Sequence, residues 1–324
     1  MRSSILKQSL RWFLPVFLLA AALTALICSS DTILEPSLHA DVPKLSGAAL
    51  KNPLPEPTTT RIAVMGDFGS GLPGQMQLAQ VLKASYEAQP FQYWLLLGDL
   101  IYPLGDVQQY GQSRFSIPYK PILKSGVTLL ATLGNHDIPT KNGLDAIRFF
   151  NMPARYYVRA AGPWADVFVI DSNHFNGVQA QWLKTALSQS QKPWQLVMGH
   201  HPAFSSGEHG NSAHLMKTLV PILEARAKTQ PAGAVWYLAG HDHDYERFSQ
   251  KNGVHYIISG GGGASIRGFS NVKEGSGSLV RKAVLHFLRL QLTASTLQLQ
   301  AIDAQGQIID HYDVHLISSG AKAS

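Results

Sequence analysis

Five short apolar runs each stop at a glycine that is followed at once by a side chain able to bind a metal ion. They are RIAVM before Gly66-Asp67, YWLLL before Gly98-Asp99, TLLATL before Gly134-Asn135-His136, WQLVM before Gly199-His200, and AVWYLA before Gly240-His241-Asp242-His243. Apolar runs of this length closed by glycine read as buried strands. ADVFVIDS and VHYIISGGGG add two more, and helical patterns lie near Gln75 to Ala88, Gln179 to Ser190 and His214 to Lys228. Continuous apolar strands alternating with helices predict buried sheets covered by helices, an α/β sandwich and not a bundle or a barrel. From Ala283 onward apolar and polar residues alternate around turn signals, which predicts antiparallel strands finishing a sheet.

In a mainly parallel sheet the carboxyl ends gather at one edge, where ligands bind in open α/β architectures. Taken singly, each element has a plainer reading. An Asp after a strand is usually a helix cap or turn former, and that default suits Asp67 alone. A lone His is usually a surface or satisfied core residue, as we read His39, His174, His214, His255, His286, His311 and His315. Five glycine-plus-ligand ends together do not fit the default, because buried charges seldom gather without a purpose.

The chain has 324 residues, 45% hydrophobic and 15% charged, enough for a substantial core. Setting Arg2, Lys7 and Arg11 aside leaves 24 basic against 21 acidic residues, so the net charge of +6 falls to +3, and no Lys/Arg run makes a nucleic-acid footprint. Residues 1–30 hold those three cations and then the uncharged stretch Trp12 to Cys28, which reads as a signal peptide or a membrane anchor. Its cleavage sites are poor and Ile27 is too large for a lipid anchor at Cys28, so the reading leans to a retained anchor, positive flank inside. The protein is then exported, periplasmic or extracellular, with the membrane reached through this segment. Residues 31–60, rich in Pro, Ser and Thr, read as a tether; 61–316 form the folded domain and 317–324 a tail. The single cysteine is Cys28, so any metal must be held by His, Asp, Asn, Glu or Tyr.

Oxygen and imidazole donors suit zinc, manganese and iron. Seven of them exceed what one tetrahedral ion takes. Two ions about 3.5 to 4 Å apart sharing one carboxylate fit better, the arrangement used for in-line phosphoryl displacement. The series GDFG, GDLIY, GNHD, GHH and GHDH resembles, in this order, the signature of the metallophosphoesterases, the calcineurin-like superfamily. Within it the chain is similar to the short, tartrate-resistant-type purple acid phosphatases, from about Arg61 to Asp313. Asp67-Phe68-Gly69 lacks the first-block histidine most of the superfamily carries, and Tyr102 stands three residues after Asp99, where the purple enzymes place an iron-binding tyrosinate. The plainer reading of Tyr102 is strand-end packing.

The resemblance implies a four-layer α/β/β/α sandwich of mixed sheets with a dinuclear site at the strand carboxyl ends. It implies Fe(III) bound by Asp67, Asp99, Tyr102 and His243, and Fe(II), Zn or Mn bound by Asp99, Asn135, His200 and His241, with Asp99 bridging. A metal-bound water would attack the phosphorus of a phosphorylated small molecule or phosphoprotein, making the chain a phosphoric monoester hydrolase. His136 and His209 would face the substrate and supply a proton, and Asp137 would orient His136. Asp242 and Asp244 read as outer or turn residues. His201 stands where mammalian relatives carry tyrosine and bears on pocket shape. The GGGGASIRGFS segment, Gly260 to Ser270, and SSGEHGNSAH would line the rim, with Arg267 a phosphate contact, while Arg114 and Arg148 face solvent. Two other functions stand beside this one: a phosphodiesterase or nucleotide hydrolase on the same scaffold, and a non-catalytic envelope protein that has kept the shell. Metal ligands at every position weigh against the latter.

Overall fold

The computed structural model describes residues 58–272 and 277–316. The expected leader, all but the end of the tether, and the tail lie outside the described residues. Among the described residues no helix is long and apolar enough to cross a membrane.

Two mixed sheets face each other. The first runs β13-β12-β11-β1-β2-β3. In it β1 (Thr60–Met65), β2 (Tyr93–Leu96) and β3 (Thr128–Ala131) are parallel, while β11 (His286–Leu292), β12 (Thr296–Asp303) and β13 (Ile308–His315) extend the other side antiparallel. The second runs β10-β8-β9-β7-β6-β5-β4. Its parallel strands are β5 (Ala165–Val169), β6 (Trp194–Met198), β7 (Val235–Ala239) and β9 (Val254–Ser259); β4 (Tyr157–Ala161), β8 (Tyr245–Phe248) and β10 (Ser278–Lys282) pair antiparallel at its margins. The seven expected strands and the antiparallel finish are all present; β4, β8 and β10 are short or edge strands with weak patterns.

Period-two alternation sorts the second sheet's side chains between two cores. Val167, Val169, Trp194, Leu196, Met198, Trp236, Leu238 and Ile257 join the core shared with the first sheet. Phe168, Val197, Val235, Tyr237, Val254, Tyr256 and Ile258 face a second core. That core is closed by α5 (Gly177–Gln189), α6 (Ala213–Thr218) and α7 (Val220–Ala227), through Leu183, Leu187, Leu215, Leu219 and Leu223. α1 (Pro73–Ala88) covers the first sheet through Leu78, Ala79 and Leu82. The short helices α2 (Val107–Gly111), α3 (Lys120–Leu123) and α4 (Leu144–Phe149), with a π-helical turn over Gln112–Ser116, connect β2, β3 and β4. The result is the expected α/β/β/α sandwich. The helix expected over 214–228 is two helices, because Pro221 in the first turn of α7 lacks the amide a continuous helix needs.

His286 illustrates a satisfied core histidine. It is fully buried, with Nε2 3.0 Å from Ser259 Oγ and Nδ1 3.0 Å from the Val284 carbonyl. Burial holds its pKa down at about 4, and burial with Arg247 nearby does the same for His255. The unfolded chain therefore takes up protons on these imidazoles below about pH 6.5 while the folded chain does not. Their contribution to stability is complete above pH 6.5 and falls as pH drops towards 4. Between pH 7.5 and 5 each should cost about 2 kcal/mol of unfolding free energy. Urea unfolding at the two pH values checks this, and His286→Gln should lose about half of the combined slope.

Candidate metal centre

β1, β2 and β3 of the first sheet and β6 and β7 of the second end at the same place, so the five glycine-plus-donor segments converge from two sheets. Three donors sit in left-handed backbone: Asp67 (φ 58°), Asp99 (φ 49°) and His241 (φ 71°). Such strain in non-glycine residues costs about 1–3 kcal/mol each and persists only where surroundings impose it. Here they do: Asp67 N–H donates to the Gly98 carbonyl (3.1 Å) and His241 N–H to Asp67 Oδ2 (2.9 Å).

The side chains fall into two adjoining groups. In one, Tyr102 Oη lies 3.2 Å from Asp67 Oδ1 and 3.0 Å from His243 Nε2, which is itself 3.4 Å from Asp67 Oδ1. In the other, His200 Nε2 lies 3.0 Å from Asn135 Oδ1, 3.4 Å from Asp99 Oδ1 and 3.2 Å from His241 Nδ1. Donor atoms of Asp67, Asp99 and His200 lie within 4.8 Å of one another, and Asp99 carboxylate oxygens thus stand between the groups. The outward nitrogens are engaged: His200 Nδ1 is 2.9 Å from the Leu97 carbonyl and His243 Nδ1 is 2.8 Å from that of Ser265. A carbonyl partner fixes the proton on Nδ1, so both Nε2 lone pairs face the centre.

This donor set fits metal ions on its own evidence. Asp67 and Asp99 are buried, and the ion pairs they form are with imidazoles alone, not with Lys or Arg. Burial raises the Asp67 pKa despite the neighbouring histidines, and burial together with Asp67 and Asp99 drives that of Tyr102 far above its ordinary value. Carboxylates, a phenol and imidazole lone pairs packed together out of water want a multivalent cation.

The remaining site residues are placed as follows. His136 N–H donates to Asp99 Oδ1 (2.8 Å), its Nδ1 is 2.6 Å from the Pro103 carbonyl, and its Nε2 is 3.9 Å from Asp99 Oδ2. Asp137 does not orient it. The Asp137 carboxylate accepts from the backbone N–H groups of Leu100, Ile101 and Gly134 instead, tying together the loops after β2 and β3; burial pushes its pKa up to about 7. His209 stacks 4.0 Å from the His241 ring, with Nδ1 2.8 Å from Asp242 Oδ1 and Nε2 3.1 Å from an Arg267 nitrogen. Asp242 is thus the residue that orients a histidine, although sequence reasoning gave that task to Asp137. The fold, not adjacency in the chain, decides which carboxylate meets which imidazole.

His201 joins the centre's wall, with Nδ1 2.9 Å from Ser172 Oγ and its ring 4.4 Å from that of His241. The Asp244 carboxylate is buried with no hydrogen-bond partner among the described residues, and burial with Asp242 and Glu246 raises its pKa to about 8. Of the segment expected at the rim, Gly260 to Gly263 is buried behind the loops that carry the donors, where a Cβ on Gly260 would meet the Asp242 carbonyl at 2.1 Å, while Ser265 to Ser270 is half-buried to exposed. Arg114 is half-buried over the Tyr110 ring and donates to the Tyr102 carbonyl, while Arg148 is exposed as expected.

Two sheets delivering these donors to one dry edge define a metal-dependent phosphoesterase. The chain belongs to the calcineurin-like phosphoesterase family, whose model matches residues 60–245, and its chemistry is phosphoester hydrolysis. Purple acid phosphatase 4 of Arabidopsis thaliana is 27% identical over 331 residues, covering 91% of this chain and 94% of that protein. Tartrate-resistant acid phosphatase type 5 of Rattus norvegicus is 26% identical over 246 residues, 63% of this chain and 73% of that protein. The purple acid phosphatase from yellow lupin seeds superposes with a TM-score of 0.70 at 18% identity, over 82% of this chain and 57% of that one, a likeness of fold.

Proposed function

We propose that the protein is an acid phosphatase of the purple type, hydrolysing phosphate monoesters of small molecules or phosphoproteins. In this reading Asp67, Asp99, Tyr102 and His243 hold Fe(III), and Asp99, Asn135, His200 and His241 hold Fe(II), Zn or Mn. The observation that carries it is the Tyr102 hydroxyl, which lies 3.2 Å from Asp67 Oδ1 and 3.0 Å from His243 Nε2. A phenolate donor beside a carboxylate and an imidazole suits a hard trivalent cation. When bound, the two ions neutralise charge on the phosphoryl oxygens and make water acidic enough to serve as a nucleophile near neutral pH.

The protein's own groups do the rest. Arg267 and His209 face the same opening and can hold the non-ester phosphate oxygens. Water adds to phosphorus and its proton passes to solvent, the ester P–O bond breaks, and the leaving alkoxide takes a proton from His209 Nε2, which must be protonated and turned from Arg267 for that step. Asp242, bonded to His209 Nδ1, stabilises the imidazolium that gives the proton. His136 is held by the Pro103 carbonyl with Nε2 towards the site, beside the Tyr102 ring (4.6 Å). Residues 61–316 are the catalytic domain in this reading, exported behind residues 1–30 and spaced by the tether; cell fractionation, with the chain found in the cytoplasm, would sink that part.

The test is a visible absorption spectrum with metal analysis. A broad visible band that Tyr102→Phe abolishes, with about two metals per chain, supports the reading. A colourless protein holding two zinc or manganese ions, or hydrolysis of bis-ester substrates in preference to monoesters, overturns it.

A further inference from the structure

On the far side of the first sheet lies a cavity of about 310 Å³, between the end of α1 and strands β1, β11, β12 and β13. Two arginines line it, Arg61 from β1 and Arg289 from β11. Strand register explains their meeting. Arg61 pairs with Gln291 and Ala63 with Arg289, so the two guanidinium stems are diagonal neighbours on one face. The same register brings Gln298 and Gln300 beside them, and Gln300 pairs in turn with His311. Arg61 is the second residue of β1 and Asp67 follows the strand's end, so the cavity is about 20 Å from the metal centre at ordinary strand rise.

Among the described residues neither guanidinium has an acidic partner: no ion pair reaches Arg61 or Arg289, and Arg61 Nε is buried with no hydrogen-bond partner. The nearby carboxylate, Asp313, is engaged by His311 Nε2 (3.0 Å) and Gln298 Nε2 (3.3 Å). Gln89 at the end of α1 donates to Gln291 Oε1 (3.2 Å), which fixes an amide at the mouth. Partial burial, with Arg61 alongside, lowers the Arg289 pKa. The two arginines are partly buried like charges on one face, and an anion between them would relieve their repulsion.

We propose that this cavity is a second anion site, separate from the catalytic centre, that binds the dianionic phosphoryl group of a small polar molecule. Two permanent charges match a dianion, and guanidinium forks suit the paired oxygens of phosphate. A volume of about 310 Å³ exceeds what the phosphoryl group alone fills and lies at the lower end for small-molecule sites. The glutamine amides offer both donors and acceptors to hydroxyls on the rest of the ligand.

The experiment is isothermal titration calorimetry of the metal-loaded protein at pH 8 with inorganic phosphate, and in parallel with succinate. The R61Q/R289Q double variant should bind one phosphate equivalent per chain fewer than wild type, with hydrolytic rate and thermal midpoint unchanged. R61K/R289K keeps the charge but loses the forks and should bind that equivalent about tenfold more weakly. If the double variant does not fold, the single variants R61Q and R289Q must each weaken the same equivalent. Equal phosphate stoichiometry in wild type and variants overturns the proposal, as does succinate occupying the site where phosphate does not. The difference is read against wild type, so it holds whether or not phosphate also binds the metal centre.

Discussion

Asp99→Asn is expected to lower kcat by about 10³-fold or more, because in the proposed reading Asp99 is the carboxylate shared by both ions, and its loss would remove several kcal/mol of the charge stabilisation they would supply. The asparagine keeps the shape but loses one negative charge, and its amide N–H₂ would face the His200 Nε2 lone pair that now lies 3.4 Å from Asp99 Oδ1. Metal analysis should show fewer than two ions per chain. The stability change has a diagnostic sign. In chelated protein Asp99 and Asp67 repel each other, and Asp99 is among the causes that raise the Asp67 pKa. Asp99→Asn should therefore be at least as stable as wild type without metal. With metal it should be less stable, since ligand stabilisation scales with binding to the folded state. A variant that keeps two ions and wild-type turnover would remove Asp99 from the centre.

Gly134→Ala should be nearly as damaging without touching a ligand directly. A Cβ there would lie 2.1 Å from Asp99 Oδ1 and 2.2 Å from the Asp99 backbone nitrogen, and neither atom can swing away. Overpacking of this kind costs about 3 kcal/mol, a fall of about 6–10 °C in thermal midpoint for a domain of this size. Activity should drop about 10²-fold, the typical effect of displacing a reacting group by about 1 Å. Gly177→Ala is the matched control. Its Cβ would meet nothing within 4 Å, it opens α5, and its φ is not positive. It should leave activity unchanged and raise stability by about 0.5 kcal/mol. Differential scanning calorimetry and steady-state kinetics on the pair separate backbone approach from any general intolerance of alanine.

Gly134 belongs to a repeated device. A Cβ on Gly98 would strike His200 Nδ1 at 2.6 Å, and one on Gly240 would strike Asp67 Oδ2 at 2.3 Å. Three of the five strand-end glycines, Gly98, Gly134 and Gly240, make room for a donor carried by a different strand, while Gly66 and Gly199 make room for the backbone and core side chains of neighbouring strands. Those three glycines are therefore part of the site's geometry, and all five stand where a Cβ would crowd an atom of another strand.

The amino-acid sequence by itself determined the seven apolar strands, the antiparallel finish, the helices α1 and α5, and the kinds of donor at each strand end. Those features depend on periodicity over a few residues and on side-chain chemistry, which are local. Tyr102, Asp67 and His243 could likewise be named as one group and Asn135, His200 and His241 as another, because the blocks that carry them resemble a known signature. Tertiary structure alone decided that the donors reach the centre from two sheets, three strands from one and two from the other. It alone turned Asp137 to the backbone of the β2 and β3 loops and gave His209 to Asp242. It buried Gly260 to Gly263 behind the ligands and set Arg61 beside Arg289 from strands at opposite ends of the chain. Such pairings depend on strand order and register, which follow from the packing of the whole core, and no short window of sequence contains them.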